Sequence, residues 1–535
     1  MPLVRRWLIA LALFAAVAAA PFVASSPSSA AEPVLYRFSF PEPSERWMQV
    51  DATFADLGTA PLQLRMSRSS PGRYAIHDFA KNVYDVHAYD SNGRELRLER
   101  PDAAGWNVPT HADSVTIKYK VYGDRVDGTY LAIDSSHAHI NMPAAIMWAR
   151  GFDDRPATLR FAPPAGAQWQ VATQLHPGAS AGEFTAPNLQ YLIDSPVEFG
   201  PVTIEAFTIG PRTFRFAAHQ TGTRMELQAF VKDAAKIVQQ EEAVFGEFPS
   251  YEPGFYTFLA DYLPYASIDG MEHRNSTVMT SPGSIANARV ELLDTVAHEF
   301  FHSWNVERIR PRSLEPFDLD QTNASGELWL AEGFTQYYGP LAMQRAGLLE
   351  IGSTARTLST VLNSVGVESG RLVRSAEEVS RLAVFTDRTE AGPPGSFIDV
   401  MSYYQLGAAI ALSLDLSLRE RSNGRLSLDD FMREMWRRYG KPGGVREGYV
   451  DRPYTAADAE ATLAVVSGDA AFARDFFARY IQGRELADYG RLLAPAGFLV
   501  RPAARGRVEV VPVESAGGAL TPAQREFRDN WLGAK

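Results

Sequence analysis

The nine residues Val296-Ala297-His298-Glu299-Phe300-Phe301-His302-Ser303-Trp304 constrain this chain more than any other stretch. They set two histidines four apart with a glutamate between them. Around them Leu292, Leu293, Val296, Ala297, Phe300, Phe301 and Trp304 recur at helical spacing, the pattern of a buried amphipathic helix. On a helix, positions i and i+4 lie one above the other on one face. His298 and His302 can therefore aim two imidazole nitrogens at one metal ion, with Glu299 within reach of a water on that ion. Two imidazoles and a carboxylate on such a face cost burial energy unless they are paired or metal-bound. Zinc hydrolysis asks for these parts: two fixed neutral ligands, a third ligand, and a carboxylate to take a proton from the bound water.

The 535 residues are enough for more than one domain. An apolar content of 46% and a charged content of 21% are those of a globular chain with a sizeable core. The formal charge of −11 gives no nucleic-acid footprint. There is no cysteine, which excludes disulfides, thiolate zinc ligands and a cysteine nucleophile together.

Residues 1–31 have the form of a secretory signal peptide. Arg5 and Arg6 are its basic start, Trp7 to Ala20 its apolar run, and Ser29-Ala30-Ala31 supplies small residues for cleavage before Glu32. Pro21 and the shortness of the run favour cleavage over a membrane anchor. Cleavage removes two arginines and no acids, so the charge of −11 becomes −13. No later stretch is long and apolar enough to span a bilayer. The expected address is periplasmic or secreted, in a bacterium.

From Val34 to about Gly210 the pattern is that of strands. Val115 to Tyr122, Trp47 to Phe54 and Val202 to Phe207 alternate, and Ser91-Asn92-Gly93 and Pro71-Gly72 mark turns. Many short strands so punctuated predict a β-sandwich over residues 32–212. His77, His87, His137 and His139 fall here. His137 and His139 would share one face of a strand, but no acid or third histidine stands at a telling distance, so these read as ordinary surface histidines. From about Arg224 the period becomes helical. Met225 to Phe245 predicts a helix, Phe255 to Leu259 a strand, and Tyr265 to Asn275 a loop or edge strand. The motif helix is expected from about Asn287 to Asn305, and a second helix from Glu327 to Tyr338. Further helices are predicted at Ser402–Leu418, after caps at Ser427 and Thr455, and at Asp469–Gln482, with strands within 500–515. There is no internal repeat, P-loop or dinucleotide fingerprint.

His298 to Pro311, read as His-Glu-Phe-Phe-His-Ser-Trp-Asn-Val-Glu-Arg-Ile-Arg-Pro, closely resembles the glycyl aminopeptidase family of metallopeptidases. That family belongs to the gluzincins, whose third zinc ligand is a glutamate on a following helix. Trp329-Leu330-Ala331-Glu332-Gly333-Phe334 looks like that helix, with 29 residues between His302 and Glu332, so Glu332 is the implied third ligand. Gly270-Met271-Glu272-His273 resembles the segment that receives a substrate's free amino group in this clan, with Glu272 as the acid. Ser267-Ile268-Asp269 before it is poorer in glycine than the family pattern. Tyr403-Tyr404-Gln405-Leu406-Gly407 resembles the segment whose tyrosine stabilises the oxyanion, and alignment on Gly407 favours Tyr404 over Tyr403. Ser70 to Tyr74, Asp78 to Val83 and Phe476 to Tyr480 extend the likeness over nearly all of the mature chain. Many members continue into a PDZ domain near a Trp-Leu-Gly stretch, whereas this sequence stops at Trp531-Leu532-Gly533-Ala534-Lys535, where the resemblance implies that domain would begin, so its absence, natural or by truncation, is the expectation.

The resemblance implies a multidomain α+β protein with a β-sandwich at 32–212, a thermolysin-like gluzincin catalytic domain at 213–450 and a helical region at 451–535. It implies a zinc aminopeptidase that removes small amino-terminal residues, Gly and Ala, from peptides. His298, His302 and Glu332 would hold Zn2+, Glu299 and Tyr404 would be catalytic, and Gly270, Met271 and Glu272 would bind substrate. The alternatives are an endopeptidase on the same zinc site and a catalytically inactive periplasmic peptide-binding protein. The intact ligand set and Glu299 argue against the latter.

Overall fold

The computed structural model describes residues 32–367, 369–387, 401–444 and 446–534. The expected signal peptide, residues 1–31, lies outside the described residues. Among those described, no helix is long and apolar enough to cross a membrane.

Alternating burial builds the amino-terminal domain. Every second side chain is buried in Trp47–Phe54 and in Val115–Tyr122, and the two strands pair antiparallel from Trp47 opposite Tyr122 to Phe54 opposite Val115. Val34–Ser39 flanks Trp47–Phe54 and runs parallel to Ala157–Ala162. These four strands belong to an eight-stranded mixed sheet. A three-stranded sheet and a four-stranded sheet complete the domain. A core that includes Tyr36, Phe38, Trp106, Tyr119, Tyr191 and Phe199 spans all three. The predicted β-rich domain is present, built from three sheets around one core.

Of the four histidines expected at its surface, only His87 is exposed; His77, His137 and His139 are buried. The reason for the latter two is tertiary. The sheet that holds Ala138–Ile140 packs against the second domain, which brings Asp261 to within 3.6 Å of His137.

The second domain is organised on a five-stranded sheet in the order Thr203–Ile209, Arg212–Gln220, Phe255–Tyr262, Ser276–Ser281, Asp269–His273. Thr203–Ile209, placed by sequence within 32–212, hydrogen-bonds here along Arg212–Gln220. Asp269–His273 is the edge strand, antiparallel to Ser276–Ser281. The long helix Arg224–Phe245 starts from a capping box between Thr223 and Glu226. It and the motif helix Arg289–Phe301 cover the sheet. Phe300 meets the rings of Phe214, Tyr256 and Phe258 at 5.7, 5.0 and 5.6 Å.

One helix ends earlier than its periodicity predicts and another is interrupted. The motif helix stops at Phe301, with His302 as its carboxy-terminal cap. The predicted helix Glu327–Tyr338 is two helices, Leu328–Ala331 and Gly333–Arg345, meeting at Glu332. Beyond residue 451 come further helices and the hairpin Phe498–Pro502/Val508–Pro512. They share the core of the second domain through Phe477, Leu493, Phe498 and Trp531, and the Trp531 indole donates to the Tyr337 hydroxyl at 2.8 Å.

Candidate active site

The motif helix and its carboxy-terminal cap place His298 and His302 beside the edge strand. Their Nε2 atoms lie 3.2 Å apart. The break between the two following helices turns Glu332 toward them, with its Oε2 3.3 Å from His302 Nε2 and 3.7 Å from His298 Nε2. Four donors around zinc at about 2.0–2.1 Å stand roughly 3.3 Å from one another, so these three atoms fit three corners of such a tetrahedron.

Supporting hydrogen bonds select the atoms that face inward. His302 Nδ1 donates to the Asn305 carbonyl at 2.6 Å, leaving Nε2 as the free lone pair. The Tyr74 hydroxyl donates to Glu332 Oε1 at 2.5 Å, leaving Oε2 for the histidines. The Asn305 amide donates to the carbonyls of Leu330 and Ala331, both at 3.0 Å, tying the turn after the motif helix to the helix end that carries Glu332. Gly333 and Gly407 allow the last approach: a Cβ on either would strike the backbone of the other. That contact seats the helix Tyr403–Ser422 against Glu332.

Glu299 is buried, and its Oε2 has no hydrogen-bond partner among the described residues. Burial raises its carboxyl to about 8, with Glu332 adding to the effect and His302 opposing it. Burial likewise pushes Glu272 well above the carboxylate range. For Glu332 burial acts upward too, but the attraction and hydrogen bonds of His302 and His298 outweigh it and hold the group below its ordinary value. Donor atoms of Glu272, Glu299 and His302 lie within 4.8 Å of one another. A concentration of carboxylates in low dielectric, one of them unpartnered, is a site arranged for cationic groups.

The edge strand alternates as a strand must. Gly270 and Glu272 face the centre, and a Cβ on Gly270 would collide with the Glu299 carboxylate. Met271, grouped by sequence with the substrate-binding residues, is fully buried and packs beneath Gly72 and Gly128 of the amino-terminal domain. Arg274, two residues past Glu272, pairs with Glu252 at 2.6 Å, so it does not neutralise Glu272. The two tyrosines stack on each other at 4.6 Å but have different further neighbours. The Tyr404 ring centre is 5.9 Å from that of His298, whereas Tyr403 packs edge-on against Tyr74 at 6.1 Å. Burial raises the Tyr404 hydroxyl well above its usual range, so it stays a donor.

Two residues of the site were given no role from sequence. Arg73 forms a buried pair with Asp269 at 2.5 Å and donates to Thr129 at 2.8 Å, fastening the edge strand to the amino-terminal domain. Tyr74 supports Glu332 across 258 positions of chain. Both sit in the Ser70 to Tyr74 segment, whose sequence signals are the Pro71-Gly72 turn and a likeness to the family, neither of which assigns these two side chains a role.

A two-domain α+β chain whose amino-terminal domain completes a His2Glu centre on the second domain belongs to a narrow class. The model for the Peptidase M61 N-terminal domain matches residues 35–201, and that for the M61 glycyl aminopeptidase matches residues 291–410. The chain belongs to the M61 glycyl aminopeptidase family of peptidases. Among solved structures it is similar to the aminopeptidase N family protein from Idiomarina loihiensis, at 24% identity and a TM-score of 0.78, over 90% of this chain and 86% of that one. An M1 zinc metallopeptidase variant from Deinococcus radiodurans, bound to a Tyr-Ser-Ala substrate, matches at 15% identity and a TM-score of 0.49, over 86% and 95% of the two chains. Curated protein sequences give no match.

Proposed function

We propose that this protein is a zinc aminopeptidase of the gluzincin type, with a thermolysin-like centre, that removes small amino-terminal residues such as Gly and Ala outside the cytoplasm. The observation that carries the reading is the convergence of His298, His302 and Glu332 at 3.2–3.7 Å with Glu299 and Glu272 beside them. The donor set, nitrogen and oxygen without sulfur and with three protein ligands, suits zinc with an open position. When bound there, zinc supplies Lewis acidity and a water of lowered pKa.

The chain's own groups do the rest. Glu299 accepts the proton of the attacking water and returns one to the leaving amine. The Tyr404 hydroxyl donates to the developing oxyanion. The Glu272 carboxylate binds the substrate's ammonium group, because a charge-assisted hydrogen bond is strong where water is excluded.

Tyr404→Phe is expected to lower kcat by about 10²–10³-fold, the usual worth of an oxyanion donor. Tyr403→Phe, whose ring packs on Tyr74 and Tyr404 rather than on His298, should lose less. The reverse order in steady-state kinetics would reassign the role.

The experiment that tests the function compares Gly- and Ala-anilides with their amino-acetylated forms. Wild type should turn over the free amines and barely touch the blocked ones. Glu272→Ala should lower kcat/KM for free amines by the equivalent of about 2–5 kcal/mol of lost charge pairing and leave acetylated substrates no worse. Equal cleavage of acetylated and free peptides at internal bonds by the wild type would make the protein an endopeptidase.

A further inference from the structure

A second knot of ionisable side chains lies where the four-stranded sheet of the amino-terminal domain meets the catalytic sheet. It shares no residue with the His298 centre. Two cross-strand pairs form it. Glu198 stands opposite His139 on the strands Val197–Gly200 and Ala138–Ile140, and His219 stands opposite Asp261 on Arg212–Gln220 and Phe255–Tyr262. His137 enters from just before Ala138. One donor atom from each of His137, Glu198, His219 and Asp261 lies within 4.8 Å of all the others.

The separations are those of ligands rather than of hydrogen-bond partners. Asp261 Oδ2 is 3.6 Å from His137 Nε2, and Asp261 Oδ1 is 3.7 Å from His219 Nδ1. Both exceed a hydrogen bond and resemble the 3.7 Å between His298 and Glu332. His137 Nε2, His219 Nδ1, Glu198 Oε1 and both oxygens of Asp261 are buried without a hydrogen-bond partner among the described residues. Leaving even one such atom unsatisfied costs about 1–3 kcal/mol, so four residues that each bring one such atom within 4.8 Å of the others demand a common partner. The surroundings orient them. Asp134, anchored by the backbone amides of Ser136 and His137 at 2.7 and 3.1 Å, stands 3.4 Å from His137 Nδ1 and turns Nε2 inward. His139 Nδ1 lies 3.3 Å from Glu198 Oε2 and steadies that carboxylate. The His219 side chain keeps 14% of its surface exposed, which leaves a route in from solvent.

We propose that His137, Glu198, His219 and Asp261 bind a second divalent cation, zinc by the chemistry of the donor set, that clamps the amino-terminal domain to the catalytic domain. Two nitrogen and two oxygen donors close a four-coordinate shell, the form of a structural site. The rival occupant is protons alone, shared between the histidines and the two carboxylates.

Metal counting distinguishes them. The full-length mature protein is stripped with chelator, re-equilibrated with zinc chloride, dialysed, and analysed for bound zinc by plasma mass spectrometry. Two equivalents are expected in wild type, one in Asp261→Asn and one in Glu332→Gln. Zinc should raise the melting temperature of Glu332→Gln, and this shift should vanish in the Glu332→Gln/Asp261→Asn double variant. His219→Ala, at the exposed rim, serves the same purpose should Asp261→Asn not fold. A wild type that holds one equivalent, lost with Glu332→Gln, overturns the proposal, as does a folded Asp261→Asn that keeps two. One equivalent that survives Glu332→Gln and disappears with His219→Ala upholds the clamp while removing the catalytic zinc.

Discussion

Glu332→Gln is expected to bring turnover of Gly-anilide down to that of chelator-treated wild type and to cost one equivalent of zinc. The amide keeps the shape of the carboxyl, and its carbonyl can still accept from Tyr74 as Oε1 does now at 2.5 Å. It cannot supply the anionic oxygen that stands 3.3 and 3.7 Å from the two imidazoles. Lewis-acid catalysis contributes several kcal/mol. At about 1.4 kcal/mol per decade, the loss is on the order of 10³-fold or more. The two readouts must move together. Full zinc occupancy with near-normal kcat in Glu332→Gln would reject Glu332 as a ligand.

Glu299→Gln is expected to lower kcat by about 10²–10⁴-fold, the range for loss of a general acid–base, with zinc content unchanged. Its Oε2 has no hydrogen-bond partner among the described residues, and the Gly270 backbone passes close by Oε1. The amide occupies the same space and removes only the proton transfer. KM for Gly-anilide should change little, because Glu299 is assigned no part in holding the substrate. A parallel fall in bound zinc would mean that Glu299 is a ligand.

The motif helix was legible because an i, i+4 pair on an apolar helix needs no knowledge of the rest of the chain. The interruption at Glu332 was not. Apolar spacing runs on through Leu330, Ala331, Phe334 and Tyr337, and the turn is made by tertiary contacts: the Asn305 amide on two carbonyls and Gly407 against Gly333. The edge position of Asp269–His273 could be anticipated, but not that Arg73 of the other domain fixes it. His137 and His139 were misjudged for a related reason. Strand alternation tells which residues share a face, whereas the acids that meet them, Glu198 and Asp261, come from another strand and another sheet. Local periodicity reports on one element at a time, and both centres are made between elements.

The buried Arg73–Asp269 pair and the Tyr74 bond to Glu332 also bear on how the chain can be cut or recombined. A fragment trimmed to the 291–410 match would carry His298, His302 and Glu332 yet leave behind the strand with Glu272 and the Tyr74 hydroxyl that holds Glu332. A fragment starting at the five-stranded sheet would take from Asp269 both its Arg73 pair and the Gly128 amide, on an open sheet edge. A chimera of two family members should therefore inherit residues 70–74 from the parent that supplies the edge strand, wherever else its crossover falls.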